Sequence, residues 1–114
     1  MFKQLGQLAG LFQQLPRIRE EMERLQERLG QMTADGDAGA GMVKVRVNGK
    51  LEIVSCVISD ELLKLQDKEM LEDLVRAATN QALGRARQQA AEETSKMASS
   101  FGLPADLKLP GLSG

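Results

Sequence analysis

The stretch GMVKVRVNGKLEIVSCVIS, from Gly41 to Ser59, decides the fold, because it is the one strongly β-like run in a chain that otherwise reads as helix. Val43, Val45 and Val47 alternate with Lys44 and Arg46. Leu51 and Ile53 alternate with Lys50 and Glu52, again the period of a half-buried strand. Asn48-Gly49 between the two runs is a hairpin signal. A plain two-residue loop would set Val45 against Glu52, an apolar face against a polar one. A three-residue loop with a bulge sets Val45 against Leu51, Val43 against Ile53 and Lys44 against Glu52, so this is the expected register. Beyond it, Val54, Cys56, Val57 and Ile58 make both faces apolar, which predicts a strand end covered on both sides. A lone hairpin is marginal in water, so the rest of the chain has to supply the cover.

On the N-terminal side lies a heptad seam. Leu8, Leu15, Met22 and Leu29 recur every seven residues, as do Leu11, Ile18, Leu25 and Met32 three positions behind. Pro16 lacks an N–H and clashes with the preceding turn, so a regular helix is predicted from about Pro16 to Gly30 with a looser helical lead-in. TADGDAGAG (Thr33 to Gly41) reads as a loop or a weak edge strand with a loop. On the C-terminal side, SDELLKLQ reads as a turn with a short helical piece, and Asp67 then caps a long helix to Ser100. Within that helix Leu74, Ala78, Ala82, Ala86 and Ala90 step by four, a stripe that permits close approach. Packing on the chain's own sheet and contact between subunits account for it equally well. Gly102 and Pro104 end the helix and open a tail. The expectation is one α+β domain: a helical arm over 1–32, a small antiparallel β region over 33–59, a helical region over 60–100 and a flexible tail over 101–114.

Residue types narrow the function. With no His, there is no Ser-His or Cys-His pair and no His-based metal site. A Gly-rich phosphate loop of the Walker type is missing. Paired carboxylates such as Glu20–Glu21 and Glu92–Glu93 fall on helical segments and read as solvated surface. Cys56 is alone, which excludes an internal disulfide and suits a reducing cytoplasm. No run approaches the roughly 18 apolar residues of a membrane span. The expectation is therefore a non-enzyme without cofactor, metal, small-molecule substrate or membrane partner.

The blocks GAGMVKVRVNGKLEIVSCVISDELL and DKEMLEDLVRAATNQAL, with a late Met before GLPADLKLPG, resemble the YbaB/EbfC family of bacterial nucleoid-associated DNA-binding proteins. The resemblance spans nearly the whole chain. Its specific part is Gly41, Val43, Val45, Asn48-Gly49, Ile58, Asp67, Leu71 to Leu74, Ala78, Asn80 and Ala82. Pro16 and Gly84 depart from the pattern and bear on the straightness of the two long helices. The resemblance implies a tight homodimer with projecting helical arms, binding double-stranded DNA in the cytoplasmic nucleoid. On that reading the second subunit covers Val54, Cys56 and Ile58 of the strand end and Leu74, Ala78, Ala82 and Ala86 of the stripe.

The formal net charge is −1, unusual for a DNA binder, but the charge is unevenly distributed. Lys44, Arg46 and Lys50 against Glu52 leave +2 over residues 39–59. Six acids against Lys64 and Lys68 leave −4 over 60–75, and Arg76, Arg85, Arg87 and Lys96 against Glu92 and Glu93 leave +2 over 76–100. Arg17 and Arg24 share a heptad position on the first helix, with Arg28 one turn on. These nine arginines and lysines, Lys96 apart, are the candidate phosphate contacts. No helix-turn-helix, zinc finger or aromatic RNA-binding strand points to base reading, so phosphate contacts are expected to dominate. A competing expectation, from the seam and the acidic stretch, is a protein-interaction module acting with DNA replication or recombination proteins.

Overall fold

A computed structural model describes residues 2–102. The order is α1 (Phe2–Gln31), β1 (Thr33–Ala38), β2 (Val43–Asn48), β3 (Ile53–Ile58), α2 (Asp60–Lys64) and α3 (Lys68–Ser100). The strands form one antiparallel sheet in the order β1-β2-β3, so the class is α+β, as expected. Most of the predicted tail, residues 103–114, lies outside the described residues.

The register places Ala34, Val47 and Ile53 side by side, then Gly36, Val45 and Cys56, then Ala38, Val43 and Ile58. Paired residues of an antiparallel ladder share a face, so these rows look toward α3. The alternate rows, Asp35-Arg46-Ser55 and Asp37-Lys44-Val57, look the other way. Val43, Val45 and Val47 are fully buried and make the centre of the core, with Ala34, Leu62, Ala78, Ala82 and Ala86 around them.

Two sequence expectations are corrected. The hairpin loop does have three residues, but they are Gly49, Lys50 and Leu51, closed by the Asn48 N–H donating to the Glu52 carbonyl at 3.0 Å. Val45 therefore faces Cys56 and Val43 faces Ile58, with the ladder shifting by one residue between Arg46 and Val47. The cause is Asn48. Its Oδ1 accepts from the N–H groups of Lys50 at 2.9 Å and Glu52 at 3.1 Å, and this side chain holds the turn two residues later than hydrophobic alternation alone suggests. Leu51 turns the corner with φ of 65°. The second correction is at Pro16. α1 is one helix through it, where a regular helix was expected only from about Pro16, after a looser helical lead-in. Phe12, whose carbonyl loses its intrahelical donor, is on the exposed part of the helix, and water can satisfy that oxygen.

The Ala stripe seats α3 on β1 and β2. Ala78, Ala82 and Ala86 are buried to within 1%. Opposite them is Gly36, whose hypothetical Cβ would stand 2.1 Å from the Ala78 carbonyl oxygen and 2.7 Å from the Ala82 nitrogen. Helix and strand backbones touch there, which only small residues on both sides allow. Asp67 caps α3 through its carboxylate, which accepts from the Met70 N–H at 3.1 Å, and Ser59 caps α2 in the same way.

Beyond the sheet α3 continues as half of an arm. Leu25 and Leu29 of α1 pack with Met97 of α3, flanked by Met22, Met32, Ala90 and Phe101. The C-terminal end of α1 is tied to the sheet by Gly49, whose N–H donates to the Leu29 carbonyl at 2.7 Å and to the Met32 carbonyl at 3.1 Å. The radius of gyration is 19.8 Å with extents of 70 × 23 × 17 Å. A compact chain of this length would have a radius near 13 Å, so the arm is a true projection.

Candidate nucleic-acid interface

The nine candidate cations fall into three environments. The first is the arm. Arg17, Arg24 and Arg28 follow at steps of seven and four and share one side of α1. Arg24 pairs with Glu21 and, at 3.8 Å, with Glu20. Arg17 and Arg28 have no carboxylate partner among the described residues. Arg28 sits in the last turn of α1, where the helix dipole favours a cation. The stem of Lys50 runs over the same helix end, with its Cε 3.4 Å from where a Gly30 Cβ would be. The fold thus brings Lys50, assigned to the β region by sequence, to the arm's base beside the turn that carries Arg28.

The second environment is the open face of the sheet. Arg46 grips Asp35 with two bonds, Nε to Oδ1 at 2.8 Å and Nη2 to Oδ2 at 3.2 Å. The guanidinium bonded to it holds the Asp35 carboxyl below its ordinary value, and the carboxylate in turn raises the Arg46 pKa. Lys44, the other cation of this face, lies across from Asp37 and Val57 and forms no ion pair among the described residues.

The third environment is α3. Arg76 bonds to Asp73 at 3.2 Å. Arg85 donates to the Asp35 carbonyl oxygen at 2.7 Å, and Gln81 accepts from the Asp37 N–H at 2.7 Å. These two side chains occupy the outer edge of β1. Arg87 points outward without a carboxylate partner among the described residues. Of the nine candidates, Arg24, Arg46 and Arg76 carry a counter-charge, Arg85 serves the Asp35 carbonyl, and Arg17, Arg28, Lys44, Lys50 and Arg87 carry none among the described residues. Exposed ion pairs are worth under about 1 kcal/mol, so a phosphate can displace those carboxylates, but it gains less charge there than at the unmatched five.

Of the residues assigned to a subunit contact, Ala78, Ala82 and Ala86 are covered by the chain's own sheet, so that part of the assignment is corrected in favour of the alternative. Leu74 packs against the β1–β2 turn, its Cδ1 2.8 Å from a hypothetical Cβ at Gly39. Ile58 leans on the core. Val54 and Cys56 are exposed, as are Ile53 and Val57. β3 is an edge strand with apolar side chains and an open backbone edge, while the edge of β1 is closed by Gln81 and Arg85.

Sequence reasoning missed Asp35. Its signal was there: in Thr33 to Ala38 small residues alternate with Thr, Asp and Asp, a strand pattern in which Gly36 and Ala34 take the buried positions. Among the described residues no group of His, Cys, Asp and Glu could hold a metal, and no helix is long and apolar enough to cross a membrane.

An α+β chain with a small three-stranded sheet between two long helices is the architecture of the class to which the comparisons assign this chain. The chain belongs to the YbaB/EbfC DNA-binding family, which it matches over residues 4–101. It is 40% identical over 107 residues to a nucleoid-associated protein of Pelotomaculum thermopropionicum, covering 94% of this chain and 96% of that one. It is also similar to the crystal structure of an uncharacterized protein from Helicobacter pylori, with a TM-score of 0.59 and 29% identity over 84% of this chain and 94% of that chain.

Proposed function

We propose that this protein is a non-enzymatic nucleoid-associated protein of the bacterial cytoplasm that binds double-stranded DNA as a homodimer, mainly through phosphates. Family membership supports DNA as the ligand. The observation that carries the mode of binding is the unmatched set Arg17, Arg28, Lys44, Lys50 and Arg87, on the arm, its base, the open face of the sheet and α3. A duplex phosphate row offers repeated partners to scattered cations.

The dimer supplies two such arms and joins through β3. Its free edge presents unpaired backbone groups beside Ile53, Val54 and Val57, each more than half exposed. An edge of this kind invites a second strand, and burying such side chains contributes about 1 kcal/mol or more apiece.

Binding is tested by titrating two unrelated duplexes at several salt concentrations. Each phosphate contact contributes about −0.9 to the log–log slope. Arg28→Ala, Lys50→Ala and Arg87→Ala are expected to lower the slope by about one unit each and to weaken both duplexes alike. Arg85→Ala leaves the slope unchanged, because that guanidinium serves β1. A slope unmoved by all three substitutions rules out this mode, and an effect on one duplex alone assigns base reading to that residue.

A further inference from the structure

Asp35 engages two of the candidate cations at once. Along β1, Ala34 and Gly36 are buried, so Asp35 between them faces outward on the open side of the sheet. Its register partner on β2 is Arg46, whose other lateral neighbour, Ser55 on β3, carries no charge. Arg46 gives the Asp35 carboxylate two bonds from one edge of its guanidinium, Nε to Oδ1 and Nη2 to Oδ2. From α3, Arg85 donates to the Asp35 carbonyl oxygen. The other two paired arginines are held differently. Arg24 with Glu21 and Arg76 with Asp73 stand three residues apart on one helix, each joined by a single hydrogen bond, and either arginine can swing to a new partner.

We infer that Asp35 withholds Arg46 from DNA: its carboxylate fills the guanidinium edge that a phosphate would use, and so limits how tightly the open face of the sheet binds a duplex. The inference rests on the phosphate-mediated binding proposed above. Shape is the first argument. Nε and Nη2 form the fork that takes a carboxylate or a phosphate through two parallel bonds, and here both are occupied. Register is the second. Opposed residues of an antiparallel pair keep their Cβ atoms about 5 Å apart, so Asp35 can release Arg46 but cannot leave its side. A phosphate that took its place would have a carboxylate for a neighbour. Access is the third. The Arg46 and Asp35 side chains are 54% and 61% exposed, so burial does not keep a duplex from this arginine; the carboxylate does. The hydrogen bond from Arg46, with the fields of Arg46 and Arg85, holds the Asp35 carboxyl below its ordinary value, which keeps it charged at neutral pH.

The experiment compares the salt dependence of duplex binding in the full chain and in its variants Asp35→Asn, Asp35→Ser, Arg46→Ala and Asp35→Asn with Arg46→Ala, using two unrelated duplexes and circular dichroism to check each fold. Both Asp35 variants are expected to steepen the log–log slope by about 0.9 for each Arg46 that gains a phosphate and to tighten both duplexes alike. Arg46→Ala alone is expected to leave the parental slope unchanged, and the double variant to return to it. Arg85 keeps its place throughout, because it is bound to a backbone oxygen. A parental slope in the Asp35 variants overturns the inference. So does a steeper slope that survives the loss of Arg46, which makes the gain one of net charge alone, and so does a lower slope in Arg46→Ala, which shows that arginine already on a phosphate. Arg28→Ala separates the two levels of failure. If it lowers the slope while the Asp35 variants do not raise it, phosphate binding stands and the role of Asp35 falls. A slope unmoved by Arg28→Ala, Lys50→Ala and Arg87→Ala removes the binding mode and this inference with it.

Discussion

Gly36 has no room for a side chain. A Cβ there would press on backbone atoms of Ala78 and Ala82 at 2.1 and 2.7 Å, and α3 would have to lift off the sheet. Gly36→Ala is expected to destabilise the fold by roughly 3 kcal/mol, measured by urea unfolding at a fixed protein concentration. Asp35 makes a different kind of contribution. The Arg46 bond lowers its folded pKa below the ordinary value of 3.8. Its stabilising effect is therefore present above that pH and is lost as pH falls through the lower folded value. The urea midpoint of Arg46→Ala should differ from that of the parent by a constant amount between pH 5 and 8, and the gap should close on acidification below about pH 4. Both residues were hard to see in the sequence for one reason. TADGDA lacks the β-branched and aromatic residues that mark a strand, and only the contact with α3 makes small residues the right ones there.

At the scale of elements, the helices and the central strand were legible, because each carries its own periodicity or cap: the heptads of α1, the valine alternation of β2, Asp67 before α3. The hairpin register was not. Hydrophobic alternation predicts which faces match, but Asn48 sets the turn, and its bonds to Lys50 and Glu52 push Leu51 out of the strand and into the loop. The arm's attachment was equally hidden, since it depends on the Gly49 N–H meeting the Leu29 carbonyl, two groups every sequence has. A Cβ on Gly49 would lie 2.6 Å from that oxygen. Gly49→Ala is expected to free the C-terminal end of α1 and speed amide exchange across Leu25 and Leu29, with β2 still protected. Gly84 provides the contrast. Nothing lies within 4 Å of its missing Cβ, so Gly84→Ala should stabilise α3 by about 1 kcal/mol, read as a raised unfolding midpoint at the same concentration.

At the scale of the whole molecule, the candidate site was legible as a list of cations but not as a surface. Charge counting cannot tell Arg46, clasped by Asp35, from Lys50, laid over the end of α1. Nor can it tell that Arg85 faces a carbonyl. The proposed dimer gives a prediction at this scale: Val54→Lys with Val57→Lys puts like charges along the open edge of β3, and sedimentation at micromolar concentration should then find a monomer with intact helices. The closed edge of β1 sets a limit on growth. A sheet with two sticky edges is a link in an endless ribbon; one with a single sticky edge is an end-piece, and two end-pieces joined have nowhere left to add a third. Gln81 and Arg85, by capping the Asp37 amide and the Asp35 carbonyl, act as chain terminators in the polymer chemist's sense. Replacing both with alanine would turn an end-piece into a link, and light scattering that climbs with concentration would be its signature.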